Sequence, residues 1–271
     1  MRKFRVILCL ILGLCFYGCG NVKNEGIYYP KVEEKEISER YNPSALYACQ
    51  LLYDEGKIYT SAYELRGEQR KLFDAENTLG NEIGRVYGNH YLFWSENDEY
   101  LEESNCSGTL YQIRGYDTSF RLALCYETVD SMTECSEHIV IFEHLNDITL
   151  QNGRKLFEDW LHLSDANALG AYTEQGCTWK KISEKDDWVK DFLEAISNST
   201  FLDISDDEYI TASSYQGCSV IFRNSNGLTT DLVVCKEGYA ILKPVIGKAL
   251  IVKVDATVCE NLLGQLFSNE M

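Results

Sequence analysis

Two similar segments about 110 residues apart constrain the fold most strongly. Residues 108–127 read GTLYQIRGYDTSFRLALCYE and residues 217–237 read GCSVIFRNSNGLTTDLVVCKE, each with two strand-like runs around a polar turn. At the same spacing, the apolar run at 138–142 corresponds to the run at 248–252. An amphipathic segment follows each run, so both halves predict a hairpin, a further strand and a helix. Duplication of one unit and chance similarity between two ordinary segments both account for the match.

Three amphipathic segments predict helices, because their apolar residues recur every three or four positions and so share one face. These residues are Leu156, Phe157, Trp160 and Leu161, then Trp188, Val189, Phe192, Leu193 and Ile196, and finally Val258, Cys259, Leu262, Leu263, Leu266 and Phe267. A further hairpin is predicted across residues 46–63. Nothing alternates strand with helix as a parallel sheet requires. The patterns predict an α+β fold with two small antiparallel-sheet-plus-helix domains at 43–165 and 180–271.

The N-terminus has the order of segments that marks a secretory signal. Basic residues come first, an apolar run covers residues 6–17, and Gly18 precedes Cys19. The Gly-Cys pair resembles the lipobox of bacterial lipoproteins, in which the cysteine becomes the acylated first residue of the mature chain. Phe16 and Tyr17 depart from the usual lipobox, so plain secretion and an uncleaved anchor stay open as alternatives.

The lipobox resemblance implies a signal peptide at 1–18 and a diacylglyceryl group, with palmitate-type chains, on Cys19. The apolar run is too short to cross about 30 Å of hydrocarbon. Two acyl chains, in contrast, anchor a protein stably. Residues 19–42 are polar and charged, with one proline at Pro30, and they predict a tether. We therefore expect a lipid-anchored protein at the outer face of the cell membrane.

The charge of the chain disfavours nucleic-acid binding. The 25 Lys and Arg residues against 42 Asp and Glu residues make a formal net charge of −17. Removal of residues 1–18 takes away Arg2, Lys3 and Arg5 and lowers the charge to −20. Such a surface repels polyanions and stays soluble beside an anionic membrane.

Cysteine usage leaves two interpretations open. Besides Cys9, Cys15 and Cys19 the chain has eight cysteines, an even number that suits disulfides outside the cytoplasm. Cys125 and Cys235, however, stand inside strand-like apolar runs, where a cysteine behaves as a small buried hydrophobe. The chain has no Cys-x-x-Cys pair, so it gives no local support for a redox pair or a zinc ribbon. The favoured interpretation is that most of the cysteines are thiols and that at most one or two disulfides form.

No familiar catalytic motif occurs in the sequence, and we expect no cofactor and no metal. A nucleophile elbow, a phosphate-binding loop and a zinc-protease helix are all missing. His138 and His144 would lie about 20 Å apart on one strand, too far to share a metal. A solvated or capping role is expected for His162. The acidic run at 203–208 lacks the glycine that a calcium loop needs at its sixth position.

Aromatic residues beside an acidic loop form the best sequence candidate for a ligand site. Tyr91, Trp94, Glu99 and Tyr100 lie in this region. Aromatic rings next to carboxylates suit recognition of sugars, peptides or cations, and they equally suit the core of a small β-rich domain. The alternative function is an extracytoplasmic hydrolase that uses carboxylates in the loops at 96–103 and 203–208.

The stretch GTLYQIRGYD, continuing to Phe120 and Arg121, resembles a segment of uncharacterised lipoproteins from Gram-positive gut anaerobes. The resemblance covers residues 79–163. It implies an extracytoplasmic lipoprotein and transfers no catalytic residue. The leading hypothesis is a non-enzymatic binding or regulatory module for an unidentified protein or small molecule at the membrane face.

Period-two alternation predicts the two faces of the strand at residues 122–127. Leu122, Leu124 and Tyr126 share one face, and Ala123, Cys125 and Glu127 share the other. We expect Leu124 and Val234 to pack beneath the helices that carry Trp160 and Leu263. Cys125 and Cys235 are then expected to remain thiols rather than to join the two domains.

Overall fold

A computed structural model describes residues 26–31, 50–54, 56–65, 73–88, 92–95, 106–128, 136–172, 187–203, 217–243 and 248–267. The protein has an α+β fold dominated by strands. The strands are β1 (Ile27–Tyr29), β2 (Gln50–Tyr53), β3 (Lys57–Glu64), β4 (Leu79–Gly88), β5 (Leu92–Ser95), β6 (Cys106–Ile113), β7 (Arg121–Thr128), β8 (Ser136–Glu143), β9 (Ile148–Leu150), β10 (Asn167–Tyr172), β11 (Gly217–Arg223), β12 (Thr229–Cys235), β13 (Tyr239–Leu242) and β14 (Leu250–Lys253). The helices are α1 (Ala75–Thr78), a π-helix (Arg154–Trp160), α2 (Asp187–Ser197) and α3 (Ala256–Phe267). None of these helices is both long enough and apolar enough to span a bilayer.

Seven strands form a closed barrel in the order β2-β3-β8-β7-β6-β4-β5. All neighbours are antiparallel except β2 and β5, which pair in parallel and close the ring. The predicted hairpin at 46–63 is present from Gln50 onward as the β2–β3 pair, and residues 46–49 lie outside the described part. Apolar side chains fill the barrel interior, among them Leu51, Val86, Leu110, Leu124 and Phe142, all of which are fully buried. Each of the seven strands contributes at least one apolar side chain to this interior, which is a packed core.

The second sheet has five antiparallel strands in the order β10-β11-β12-β13-β14. Helices α2 and α3 cover one of its faces, and both predicted helical stripes are confirmed. The buried residues are Val189, Phe192, Leu193 and Ile196 on α2, and Cys259, Leu262, Leu263 and Leu266 on α3. The stripes meet the sheet, for example where the rings of Phe192 and Phe222 stack with centroids 5.6 Å apart.

The predicted helix at residues 156–161 exists, but it is a π-helix. The N–H of Leu161 donates to the carbonyl of Leu156 at 2.8 Å, a bond that spans five residues instead of four. Gly153 starts this helix against α2, and a Cβ there would lie 1.9 Å from the carbonyl oxygen of Ile196. The close approach therefore requires glycine, and the widened helix still buries Phe157.

One apolar cluster joins the barrel to the second sheet. It contains Ala123 and Ile141 from the outer face of the barrel, Phe157 of the π-helix, and Phe222 and Leu263 of the second layer. Strand β10 follows the π-helix directly and begins the second sheet between the two predicted domains. The two sheets are thus packed against each other through a shared core.

The tether predicted at 19–42 is wrong for residues 27–29. These residues form β1, which pairs with β9. Tyr29 is 2% exposed, and its ring lies edge-on to Phe201 with centroids 6.2 Å apart. Three residues are too few to show a period in the sequence, and their partner strand lies about 120 residues away.

The expectation for Leu124 is also wrong, although the alternation of β7 is confirmed. Leu124 points into the barrel, whereas Ala123 and the partly buried Cys125 belong to the cluster that contains Trp160. Trp160 itself stacks on Phe120 with centroids 5.0 Å apart. The alternation separated the faces correctly, but barrel closure turned the larger residues inward.

The two similar segments both form hairpins, β6–β7 and β11–β12. Beyond the hairpins their topologies diverge. Strand β8 pairs directly with β7, whereas β13 lies between β12 and β14. Because every neighbour here is antiparallel, β14 runs in the direction opposite to that expected from β8. The correspondence of residues 138–142 with 248–252 therefore does not extend to strand order.

Candidate functional site

The residues proposed from the aromatic and acidic region are only partly covered by the structure. Trp94 is 2% exposed and packs with Leu52 and Ile58, which favours the core interpretation for this ring. Tyr91, Glu99, Tyr100 and Cys19 lie outside the described residues, as does the loop at 96–103. At the edge of the other acidic run, Asp203 forms an ion pair with Lys248, and the rest of that run is likewise outside the described part.

The three described histidines have separate partners. Nδ1 of His138 lies 2.6 Å from Oε1 of Glu64, and Nδ1 of His144 lies 2.9 Å from the carbonyl oxygen of Ile58. Burial lowers the pKa of His144. His162 stacks on Tyr116 with centroids 4.4 Å apart. No group of three or more metal-binding side chains occurs within the described ranges.

No disulfide joins the cysteines in the described part of the chain to one another. They are Cys106, Cys125, Cys218, Cys235 and Cys259, so the prediction that Cys125 and Cys235 are not joined is confirmed. Burial raises the pKa of Cys235 to about 11 and that of Cys259 to about 12. Since the thiolate is the reactive form, these two residues act as core hydrophobes and not as nucleophiles.

A cleft of about 150 Å³ lies where the barrel meets the second sheet. Its lining residues are Thr60, Ser61, Ala62 and Tyr63 of β3, Glu143 and Leu145 at the end of β8, and Ile221, Thr229, Thr230, Asp231, Leu242 and Lys243 from the second sheet. Polar groups from both sheets therefore converge on one space. Glu143 and the hydroxyl residues Thr60, Ser61, Thr229 and Thr230 are each less than 8% exposed.

A bulge in β3 explains why several polar residues of this strand reach the cleft. Thr60 pairs with Glu143, but the register shifts after Ser61, so that Tyr63 pairs with Ile141. Ala62 is the extra residue. Without it, residues 60 and 63 would point to opposite faces of the strand, and the bulge places both on the side of the second sheet.

Tyr63 connects the two walls. Its hydroxyl accepts a hydrogen bond of 3.1 Å from the backbone N–H of Thr229. Burial raises the pKa of Tyr63 to about 12, even though the positive charge of Arg121 acts in the opposite direction. The phenol is thus protonated at neutral pH, and its O–H is a donor at the edge of the cleft.

Glu143 also reaches behind the cleft wall, where it forms an ion pair with the fully buried Arg121. The guanidinium carbon lies 5.0 Å from the ring centroid of Tyr116 and 5.5 Å from that of Phe120, within the range of cation–π contacts. Among the described residues, Nε and Nη1 of Arg121 have no hydrogen-bond acceptor. Burial is the largest single influence and lowers the pKa of Arg121, but Glu143, Tyr116 and Tyr63 together raise it by more, so the net shift is upward. Arg121 therefore remains charged inside the protein.

The turn between β11 and β12 is fixed to the barrel side beside this pair. Asn224 donates to the hydroxyl of Tyr116 at 2.5 Å and to the carbonyl of Leu161 at 3.2 Å. Its own side-chain oxygen accepts from the N–H of Leu228 at 3.0 Å. These bonds hold the start of β12, and with it the wall that carries Thr229 and Thr230, in a defined position.

Sequence reasoning missed every polar residue of this cleft. Thr60, Thr230 and Glu143 belong to no motif, and they come together only because β3, β8 and β12 meet. One signal was present. Arg121 opens the apolar run of β7 on the same face as Ala123, and a charged residue at a core position indicates a buried partner.

Comparisons with known proteins identify no relative. The chain matches no protein-family model, no curated protein and no solved structure at a significant level.

Proposed function

We propose that this chain is an exported lipoprotein, held at the outer face of the cell membrane through Cys19, whose body binds a small polar ligand without catalysing a reaction. The convergence of polar side chains from both sheets on one cleft carries this proposal. In this proposal, the predicted domains at 43–165 and 180–271 form the two walls of that cleft. Ligand sites between packed units of a protein are common, because two rigid walls can each contribute oriented groups.

The burial of the lining residues supports a binding role. Hydroxyl and carboxylate groups lose hydration when they are buried, and a ligand that hydrogen-bonds to them restores the lost interactions. Thr60 and Thr230 are 4% and 6% exposed, and both border the open cleft instead of a packed interior. The barrel interior, in contrast, is filled by apolar side chains. The junction is thus the better candidate for a ligand.

The position of β1 bears on how the body would lie at the membrane. Gly26 is seven positions after Cys19, a distance of at most about 25 Å when the chain is fully extended. A lipid on Cys19 would therefore hold the β1–β9 sheet close to the bilayer surface.

The anchor is tested by Cys19→Ala in the producing cell. We expect metabolic labelling with a fatty-acid probe to mark the natural chain and not the variant, and the variant to be released or mislocalised. Cys15→Ala is the matched control and should be labelled like the natural chain. Equal labelling of the natural chain and Cys19→Ala would exclude the anchor.

The hydrolase is the second candidate, and one observation favours it. Two carboxylates, Glu143 and Asp231, line the same cleft, and they would act here in place of the carboxylates expected in the loops at 96–103 and 203–208. The ion pair with Arg121 engages one oxygen of Glu143, however, which suits a fixed binding group better than a proton donor. Release of nitrophenol from nitrophenyl glycosides, lost in Asp231→Asn at an exposed position of the cleft, would favour the hydrolase over the binding module.

A further inference from the structure

We infer that the ligand of the cleft is a neutral, polyhydroxylated six-membered ring of the monosaccharide or cyclitol type. This inference rests on the proposed binding function and adds to it the chemical class of the ligand. Charge, hydrogen-bonding groups, apolar surface and volume support it independently.

The charges around the cleft compensate one another. Glu143 is neutralised by Arg121 behind the wall. Strands β12 and β13 pair with Val233 opposite Ile241. The same antiparallel register, extended by two residues, brings Asp231 across from Lys243, which directly follows β13. An anion would meet the two carboxylates, and a cation would meet the two basic groups. The cleft therefore has no net charge with which to select an ion.

The hydrogen-bonding groups match those of a polyol. The hydroxyls of Thr60 and Thr230 can each donate and accept, as a ligand hydroxyl can. Asp231 accepts and Lys243 donates at the exposed rim, and the phenol of Tyr63 adds a donor. A ring with several hydroxyls can satisfy such a mixed set in more than one direction. A carboxylate, in contrast, only accepts hydrogen bonds, and an ammonium ion only donates them.

The remaining lining supplies an apolar surface. Leu145, Ile221 and Leu242 border the cleft together with the ring of Tyr63. The C–H groups of a pyranose or cyclitol ring form an apolar face that can lie on such side chains while the hydroxyls point to the polar wall.

The volume suits one ring. A protein cavity of about 150 Å³ accommodates a benzene ring, and the cleft has about the same volume. It also opens to solvent at Asp231 and Lys243, both of which are exposed, so ring substituents can project outward. The cleft thus accommodates the ring atoms of one monosaccharide or cyclitol, while part of its hydroxyl groups lies outside in solvent; a larger oligomer would extend further.

The test is isothermal titration calorimetry with the full-length mature chain and four sets of probes. They are neutral rings (glucose, galactose, mannose, N-acetylglucosamine and myo-inositol), amino acids (glycine, alanine and serine), anions (phosphate and succinate) and calcium. Thr230→Val removes a buried hydroxyl and keeps the shape of the side chain. Thr109→Val on β6, which does not line the cleft, is the matched control, and circular dichroism verifies that both variants are folded.

We expect saturable binding of at least one neutral ring, weakened about tenfold or more by Thr230→Val and unchanged by Thr109→Val. Binding of an amino acid or an ion that depends on Thr230, with no ring bound, overturns the ligand class and leaves the binding function standing. Ring binding that Thr230→Val and Asp231→Asn leave unchanged overturns the location. No binding by any probe counts against both proposals.

Discussion

Arg121 and Glu143 form a charged pair in the interior, beside the candidate ligand site. Two charges removed from water are costly, and their mutual attraction compensates that cost only when the pair is intact. Aromatic rings, Tyr116 and Phe120, lie against the guanidinium and add a weaker attraction. The pair is therefore a fixed part of the cleft wall whose loss affects stability as well as binding.

Glu143→Gln is expected to lower the free energy of unfolding by about 3–5 kcal/mol, because it leaves the guanidinium of Arg121 charged and without a counter-ion. Urea denaturation followed by circular dichroism measures the loss. Asp159→Asn is the control, since Asp159 pairs with Lys155 at 3.4 Å on the surface and should cost no more than about 1 kcal/mol. Similar losses of unfolding free energy in both variants would contradict the buried ion pair. The double variant Arg121→Met with Glu143→Leu removes both charges and should recover most of the stability.

At the level of elements, β7 separates two cores. Its side chains at 122, 124 and 126 fill the barrel, and Ala123 meets the shared cluster with the second sheet. A small residue on the outer face lets the π-helix and the second sheet approach the barrel closely. Large residues on the inner face fill the space that ring closure creates.

Leu124→Ala is expected to cost about 2–5 kcal/mol of unfolding free energy, because the barrel interior has no room to collapse around the lost methyl groups. Chemical denaturation of the mature chain measures it. Glu82→Ala, at an exposed position of β4, should change stability by no more than about 0.5 kcal/mol. A loss below about 1 kcal/mol for Leu124→Ala would show that the interior is not tightly packed.

On the scale of the whole molecule, β1 connects the N-terminal region to the folded body. Tyr28 and Tyr29 are neighbours with opposite environments. Tyr28 is 54% exposed and donates to Asp147 at 2.9 Å, whereas Tyr29 is 2% exposed. The hydroxyl of Tyr29 is buried and has no hydrogen-bond partner among the described residues.

Tyr29→Ala is expected to destabilise the protein by about 3–5 kcal/mol, as for a buried aromatic residue. Tyr29→Phe should be neutral or stabilising, because it removes a buried hydroxyl that makes no hydrogen bond. Thermal and urea unfolding compare the two. Tyr28→Ala serves as the control, with a change of at most about 1 kcal/mol. A large loss in Tyr29→Phe would reveal a partner for this hydroxyl and contradict the expectation.

Local patterns in the sequence predicted the elements well. The helical stripes of α2 and α3, the hairpins and the two faces of β7 follow from the repeat of side-chain direction along a helix or strand, which depends only on neighbouring residues. The same local logic missed β1, which is too short to show a period, and did not distinguish a π-helix from an α-helix at residues 154–160.

The sequence by itself thus determined the class of elements, the acidic surface and the expectation of an exported, lipid-anchored chain. Tertiary structure alone decided that seven strands close into a barrel, which face of β7 turns inward, and that Thr60, Glu143 and Thr230 share a cleft. The reason is physical. Strand pairing and the bulge at Ala62 depend on contacts between residues far apart in the chain, and such contacts leave no periodic trace in a single sequence.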